Sequence, residues 1–319
     1  MKYLITGGAG FIGSHLSEKL LNEGNEVFII DNLSTGRLAN ISHLVNNEKF
    51  HYTIDTILNK CVLEHLIERC DIVFHLAAAV GVKYIIDYPL SSMKTNIIGT
   101  ENVLEVANKF RKKVLITSTS EIYGKSEKVP YKEDDDRLLG STNITRWSYS
   151  STKAIDEFLC LAYHHEKKLP IVIVRCFNTV GPRQTGQYGM VIPKFIKSAL
   201  MDRPLTVYGD GKQSRCFADV SDVVDGMIKL VHKKEAEGEI FNIGAQEEIT
   251  IHDLAKRIID KTSSKSKIEF VKYEDAYEKG FEDMRRRMPD LSKIKKMINY
   301  KPKKNLNKII DGVVEYYEK

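Results

Sequence analysis

The chain opens on a short apolar run, Lys2-Tyr3-Leu4-Ile5-Thr6, and passes at once into Gly7-Gly8-Ala9-Gly10-Phe11-Ile12-Gly13. From Ser14 to Asn22 apolar residues return at helical spacing, as Leu16, Leu20 and Leu21. A second β-rich run, Val27-Phe28-Ile29-Ile30, ends in Asp31. The pattern predicts strand, glycine turn, helix, strand, acid. It then repeats. Further strands are predicted over 50–54, 71–76, 113–117 and 170–175, and helices over 62–70, 92–110 and from about Tyr149 to 166. In the helix over 92–110, Met93, Ile97, Val103, Leu104 and Val106 fall on one broad apolar face, with Asn96 as a polar position satisfied within the core.

Alternating strands and helices joined by short loops imply parallel pairing. The expected fold is α/β: a Rossmann, doubly wound parallel sheet with a smaller C-terminal α/β substrate-binding domain. The division is drawn as 1–176 for the cofactor-binding part, with returning segments from about 216–244, and 177–319 for the second part. Beyond residue 177, prolines and glycines punctuate shorter elements. Helices are predicted over 195–200, 220–232 and 306–317, and Thr250-Ile251-His252-Asp253 reads as a capping box. The second part is expected to pack over the first and leave a cleft at the strand ends, where open α/β sheets bind ligands.

The first thirty-one residues carry a binding argument. Gly7 permits a tight turn out of the strand, Gly10 lets a pyrophosphate reach the backbone, and Gly13 lets the helix pack closely on the sheet. The helix N-terminus offers free N–H groups and partial positive charge to the phosphates. Asp31 is placed to accept from ribose hydroxyls, and a carboxylate there repels a 2′-phosphate, so NAD is expected over NADP. Ala77-Ala78-Ala79 at the end of the fourth strand would let the cofactor lie against the backbone. Asp55 closes the third strand near the adenine. Arg37 either stacks on that adenine or faces water.

Composition narrows the picture without redirecting it. The net charge of +5 is small and spread along the chain, a poor basis for nucleic-acid binding. Five cysteines, Cys61, Cys70, Cys160, Cys176 and Cys216, lack CxxC spacing and read as buried reduced thiols. No apolar run approaches the ~18 residues of a membrane span. The first strand begins at residue 2 or 3, which leaves no room for a signal peptide, so a cytoplasmic protein is expected. The acid run Glu133-Asp134-Asp135-Asp136 reads as a solvated loop, and no metal site is expected.

Tyr149 and Lys153 lie four apart on a predicted helix and project from one face. A phenol is a poor base at its ordinary pKa of ~10. A neighbouring ammonium and a nicotinium ring would both favour the phenolate. Tyr149 could then take a proton from a sugar hydroxyl while hydride passes to NAD.

These residues together resemble the extended short-chain dehydrogenase/reductases that act on nucleotide sugars. The resemblance rests on Thr6 to Gly13, Asp31 to Gly36, His75-Leu76-Ala77-Ala78, and Tyr149 with Lys153. It implies cofactor contacts at Gly7, Gly10, Phe11, Ile12, Gly13, Asp31, Asn32, Ser34, Gly36, Asp55, Leu76, Ala77, Ala78, Tyr149 and Lys153. It further implies that Thr119 bonds the hydroxyl being oxidised, Tyr149 is the base and Lys153 holds the nicotinamide ribose. Substrate contacts are implied at Lys83, Tyr84, Asn178, Arg183, Val191, Tyr208 and Arg215. Arg215 has a surface cation as its alternative.

Ser120-Glu121-Ile122-Tyr123-Gly124 is similar to the UDP-glucuronate decarboxylases, which also carry an arginine two residues before a proline, as in Arg287-Met288-Pro289. That subclass implies C4 oxidation, loss of CO2 and hydride return, giving UDP-xylose or its 4-keto intermediate. Ser120 or Glu121 would mediate protonation at C5, Glu121 would disfavour the substrate carboxylate's charge, and Arg287 would orient the substrate. Arg285-Arg286-Arg287 also reads as a solvated basic run. Residues 80–84 and 134–148 depart from the expected pattern. The rival activity is a UDP-sugar 4-epimerase on UDP-glucose or UDP-glucuronate, and the remote one is a non-catalytic dinucleotide sensor. The expected partner is a UDP-linked sugar, with a homodimer formed through the two long helices.

Overall fold

The structure, a computed structural model, describes residues 1–186, 190–276 and 284–318, without the side chains of Val82, Lys83, Glu274 and Ala276. Seven parallel strands form the central sheet. They are β1 (Lys2–Thr6), β2 (Glu26–Asp31), β3 (Phe50–Ile54), β4 (Ile72–His75), β5 (Lys113–Thr119), β6 (Ile171–Cys176) and, after four short strands described below, β11 (Glu239–Ile243). Their order is β11-β6-β5-β4-β1-β2-β3. It reverses between β1 and β4, and that reversal opens the crevice of a doubly wound sheet.

Alternation along each strand sorts side chains to two faces. Tyr3 and Ile5 face one buried cluster, with Leu16, Leu20, Ile29, Phe74 and Val174. Leu4 faces the other, with Phe28, Val73, Val114, Ile116 and Ile173. Both faces are apolar because helices cover both. Helices α1 (Phe11–Asn22) and α7 (Val220–Val231) pack together on the first. Helices α2 (Lys60–Glu68), α4 (Pro89–Lys109) and α5 (Trp147–Lys167) cover the second, and α3 (Val82–Asp87) leads into α4.

A third cluster holds the remaining elements. Ile192, Phe195, Leu205, Val207, Leu254, Ile258, Ile309 and Ile310 are buried among helices α6 (Val191–Ala199), α8 (Ile251–Thr262) and α11 (Leu306–Glu318). The small strands here pair two by two: β7 (Thr179–Val180) with β10 (Ala218–Asp219), β9 (Ser214–Cys216) with β12 (Glu248–Thr250), and β8 (Leu205–Tyr208) with β13 (Ile268–Val271). Short helices α9 (Tyr273–Ala276) and α10 (Ser292–Ile298) complete the described elements.

Three expectations need correction. Met93 is 36% exposed although Val103, Leu104 and Val106 are buried, so the apolar face of α4 is split between core and surface. Cys61 is exposed and Cys176 half-buried, while Cys70, Cys160 and Cys216 are buried, and all five are free thiols. The acid run is not simply solvated. Glu133 accepts from the Asn242 amide at 2.8 Å, its own carbonyl accepts from Arg175 at 2.9 Å, and Asp135 accepts from the Lys132 amide at 2.7 Å. Asn96 does sit as a satisfied core amide. Its Oδ1 accepts from Ala79 N at 2.8 Å and its Nδ2 donates to Thr152 at 3.3 Å. Among the described residues no helix is long and apolar enough to cross a membrane.

Candidate active site

A cavity of about 870 Å³ runs along the carboxyl ends of the strands, from Asp31 and Asp55 at one end to Tyr208 and Arg215 at the other. Gly7, Gly10, Phe11, Ile12 and Gly13 form its wall at the first turn. Gly7 has φ of +74°, a left-handed backbone that favours glycine. A Cβ there would lie 2.9 Å from the Ala77 nitrogen, so β1 and β4 can close together only without a side chain. A Cβ on Gly13 would collide with the Gly7 carbonyl oxygen and the Gly8 backbone. Leu76, Ala77 and Ala78 continue the same wall.

Asp31 is buried, and its carboxylate accepts from Ala9 N at 3.0 Å and Leu33 N at 2.8 Å. Burial raises its pKa and those backbone donors oppose the rise. Each carboxylate oxygen keeps accepting capacity for a ribose hydroxyl. Asn32 and Ser34 line the cavity; Gly36 does not. A Cβ on Gly36 would lie 2.7 Å from Asp31 Oδ1, so its place is to let the loop close over that carboxylate. Arg37 also lines the cavity and reaches Thr185 at 3.4 Å. Asp55 accepts from Thr56 N at 2.7 Å and from Asn59 at 2.9 Å.

In the centre of the cavity stand Thr119, Ser120, Glu121 and Tyr149. Thr119 ends β5 and caps the 3-10 turn Ser120–Tyr123, its Oγ1 accepting from Glu121 N at 3.2 Å. Glu121 is held between two guanidinium groups. Arg146 approaches its Oε2 at 3.4 Å and Arg287 its Oε1 at 3.5 Å. Arg287 also reaches Asn178 Oδ1 at 3.5 Å. Arg287 therefore does not lie in a solvated basic run, whereas its neighbours do turn outward, Arg285 to Asp210 and Arg286 to Glu248. The Glu121 carboxylate is turned toward these two guanidinium groups.

Lys153 departs further from expectation. It is 2% exposed, is absent from the cavity wall, and donates to Asp156 Oδ2 at 2.8 Å. A carboxylate three residues along the same helix face captures the ammonium. The Tyr149 phenol is not lowered either. Burial pushes its pKa upward, the negative charge of Glu121 adds to the rise, and Arg287 opposes it.

At the far end, Asn178, Val191, Tyr208 and Arg215 line the cavity as expected. Arg183 lines it too, but turns back to α1, pairing with Glu18 and lying 3.4 Å from Ser14 Oγ. That puts it beside the glycine turn. Tyr84 does not line the cavity; its ring packs 5.2 Å from Tyr88. The side chain of Lys83 lies outside the described residues.

Sequence reasoning missed Arg146, Lys194, Gln213 and Tyr273, all in the wall. Lys194 sits 4.9 Å from the Tyr208 ring centroid, and Gln213 donates to Tyr208 O at 3.0 Å and Tyr273 OH at 3.2 Å. Only Arg146 left a signal: it stands three residues before Tyr149, at the N-cap of the same helix. Among the described residues no group of metal-ligating side chains is found.

Residues 4–313 match the family described as GDP-mannose 4,6 dehydratase. A UDP-N-acetyl-alpha-D-glucosaminuronate decarboxylase of Bacillus cytotoxicus is 44% identical over 98% of this chain and 97% of its own length. UDP-glucuronic acid decarboxylase 1 of Danio rerio is 35% identical over 100% of this chain and 73% of its own. The solved UDP-glucuronic acid 4-epimerase of Bacillus cereus, in complex with UDP-glucuronic acid and NAD, superposes with a TM-score of 0.90 at 32% identity, covering 100% of this chain and 99% of the other. The chain belongs to the GDP-mannose 4,6 dehydratase family and is an enzyme acting on nucleotide sugars.

Proposed function

We propose that this enzyme is an NAD-dependent decarboxylase of a UDP-linked hexuronate, with UDP-glucuronate as substrate and UDP-xylose or its 4-keto intermediate as product. The observation that carries this reading is the pair of guanidinium groups, Arg146 and Arg287, bracketing a single carboxylate, Glu121, beside Thr119 and Tyr149. Guanidinium groups beside the reacting centre are the partners a carboxylate takes, so this wall suits a substrate that carries one.

NAD is the cofactor; when bound it accepts the C4 hydride and later returns it. Gly7 to Gly13 would hold its pyrophosphate, Asp31 its adenosine ribose, and Arg183 the phosphate side of the turn. Thr119 hydrogen-bonds the C4 hydroxyl and Tyr149 takes its proton. The resulting β-keto acid loses CO2 from C5, and the bonding electrons pass into the C4 carbonyl as an enolate. Arg287 steers the carboxylate, and Ser120 or Glu121 relays a proton to C5. The same Tyr149 returns its proton to the C4 oxygen when hydride is restored. Residues 1–176 with 216–244 are assigned to cofactor binding and 177–319 to the nucleotide sugar. The exposed apolar side chains of α4 and α5, Leu90, Ile98, Ile155 and Phe158, are assigned to the interface of a homodimer.

The 44% identical relative favours a second reading, a 2-acetamido uronate in place of glucuronate. The solved 4-epimerase neighbour favours a third, rotation of the 4-keto sugar without loss of CO2. One assay separates them. Purified enzyme is given UDP-glucuronate, UDP-N-acetylglucosaminuronate or UDP-glucose, and product mass is read. Loss of CO2 from UDP-glucuronate supports the proposal. Loss only from the acetamido sugar moves the substrate, and unchanged mass with inverted C4 overturns decarboxylation.

A further inference from the structure

Tyr149, Lys153 and Asp156 share one face of α5; Tyr149 lines the cavity, and Lys153 and Asp156 are buried behind it. Asp156 is 0% exposed and its Oδ2 accepts from the Lys153 ammonium at 2.8 Å. Its Oδ1 has no hydrogen-bonding partner among the described residues. An ordinary helix-surface pair of this spacing contributes a few tenths of a kcal/mol and faces water. This one is sealed in the interior, where a charge is kept only when it is paired.

The pair ends a buried polar line that starts at the glycine turn. Ala77 N donates to Thr6 Oγ1 at 3.1 Å, and Thr6 lies 2.8 Å from His75 Nδ1. His75 Nε2 lies 3.0 Å from Thr100 Oγ1, and Thr100 faces the Asp156 carboxyl. Burial, helped by the Lys153 charge, lowers the His75 pKa to about 3, so the ring is neutral and carries one proton.

We propose that Asp156 is a positioning residue for the Tyr149–Lys153 pair: it holds the ammonium one helical turn from the phenol and cancels part of its charge. The proposal rests on the reading of Tyr149 as the base that takes the sugar hydroxyl proton. The charged and titratable groups facing that phenol are Glu121 from the 3-10 turn, Cys176 from β6, Asp156 from α5 and Arg287 from the segment before α10. Glu121, Cys176 and Asp156 hold the phenol up, and Arg287 lowers it. Asp156 is the one group among them that also binds Lys153. Removing its charge takes a raising influence from Tyr149.

The test is the pH profile of sugar oxidation. NAD-loaded enzyme is mixed with UDP-glucuronate in single turnover, and reduced nicotinamide is followed by absorbance. A phenolate base gives a rate that rises with pH through its pKa. In Asp156→Asn the midpoint of that rise moves to lower pH by about one unit, and Asp156→Ser moves it in the same direction. A midpoint that stays in place in either folded variant overturns the proposal. So does failure of both variants to fold, because the carboxyl then serves the fold and not the phenol. Tyr149→Phe separates this from the underlying reading. If Tyr149→Phe still reduces NAD at the wild-type rate, the functional reading falls; if it does not and the Asp156 variants keep the wild-type midpoint, only the present proposal falls.

Discussion

Glu157 follows Asp156 in α5 and meets a different partner. Its two oxygens accept from Arg175 Nε at 2.9 Å and Nη2 at 2.7 Å, a bidentate pair with both side chains under a tenth exposed. Arg175 Nη1 goes on to Tyr123 OH at 3.0 Å and Glu133 O at 2.9 Å. Replacing Glu157 with Gln leaves a guanidinium in the interior without its counter-charge, at a cost of about 3–5 kcal/mol. At roughly 2.1 cal/mol/K of unfolding entropy per residue, a chain of 319 residues loses about 4–7 °C in Tm. Thermal unfolding by circular dichroism measures this, with the same preparation of NAD for each variant. Arg175→Leu/Glu157→Leu supplies the control. With both charges gone, the double variant is expected to be more stable than the two single losses summed, by about 1–3 kcal/mol. A Glu157→Gln protein melting within about 1 °C of wild type, or singles that add to the double, would refute the reasoning.

Three further outcomes are expected. Gly13→Ala drives a Cβ into the Gly7 carbonyl oxygen; opening the turn costs about 1–3 kcal/mol, and NAD affinity by titration calorimetry falls roughly tenfold, whereas an unchanged Kd would mean that the turn yields freely. His75, with its pKa lowered to about 3, binds fewer protons folded than unfolded, so its contribution to stability is whole above about pH 6.5 and declines by roughly 1.4 kcal/mol per pH unit as pH falls toward 3. His75→Gln is expected to flatten that slope in urea titrations at several pH values. Phe158, 64% exposed on α5, is expected to lie in a dimer interface, so Phe158→Glu shifts the sedimentation coefficient from dimer to monomer; a wild-type protein that already sediments as a monomer counts against the assigned face.

The same buried network explains why the loop carrying Arg287 is held in place. Tyr123 OH donates to Asn242 Oδ1 at 2.7 Å, and Asn242 Nδ2 donates to Tyr131 O at 2.9 Å. Tyr131 N donates to Met288 O at 2.8 Å and Asp290 N donates to Tyr131 O at 2.7 Å, so the two segments pair around Pro289. The rings of Tyr123 and Tyr131 stack 4.6 Å apart beneath them. Arg287 thus reaches Glu121 from a short piece of β-type pairing, not from a free basic run.

What the sequence determined by itself is everything set by neighbours close in the chain. The two-residue alternation in Tyr3-Leu4-Ile5 sorts side chains to the two sheet faces, the glycines at 7 and 13 admit only one kind of turn, and Tyr149 with Lys153 must share a helix face. Such features follow from backbone sterics and periodicity, which act over a few residues. Tertiary structure alone decided who meets whom. Glu121 finds Arg146 and Arg287 because β5, α5 and the segment after α9 converge at one end of the sheet. Arg183 turns to Glu18, far away in the chain, because the fold brings the two opposite charges together. Charge pairing depends on distance in space, and a one-dimensional pattern carries that distance only within a helical turn or two.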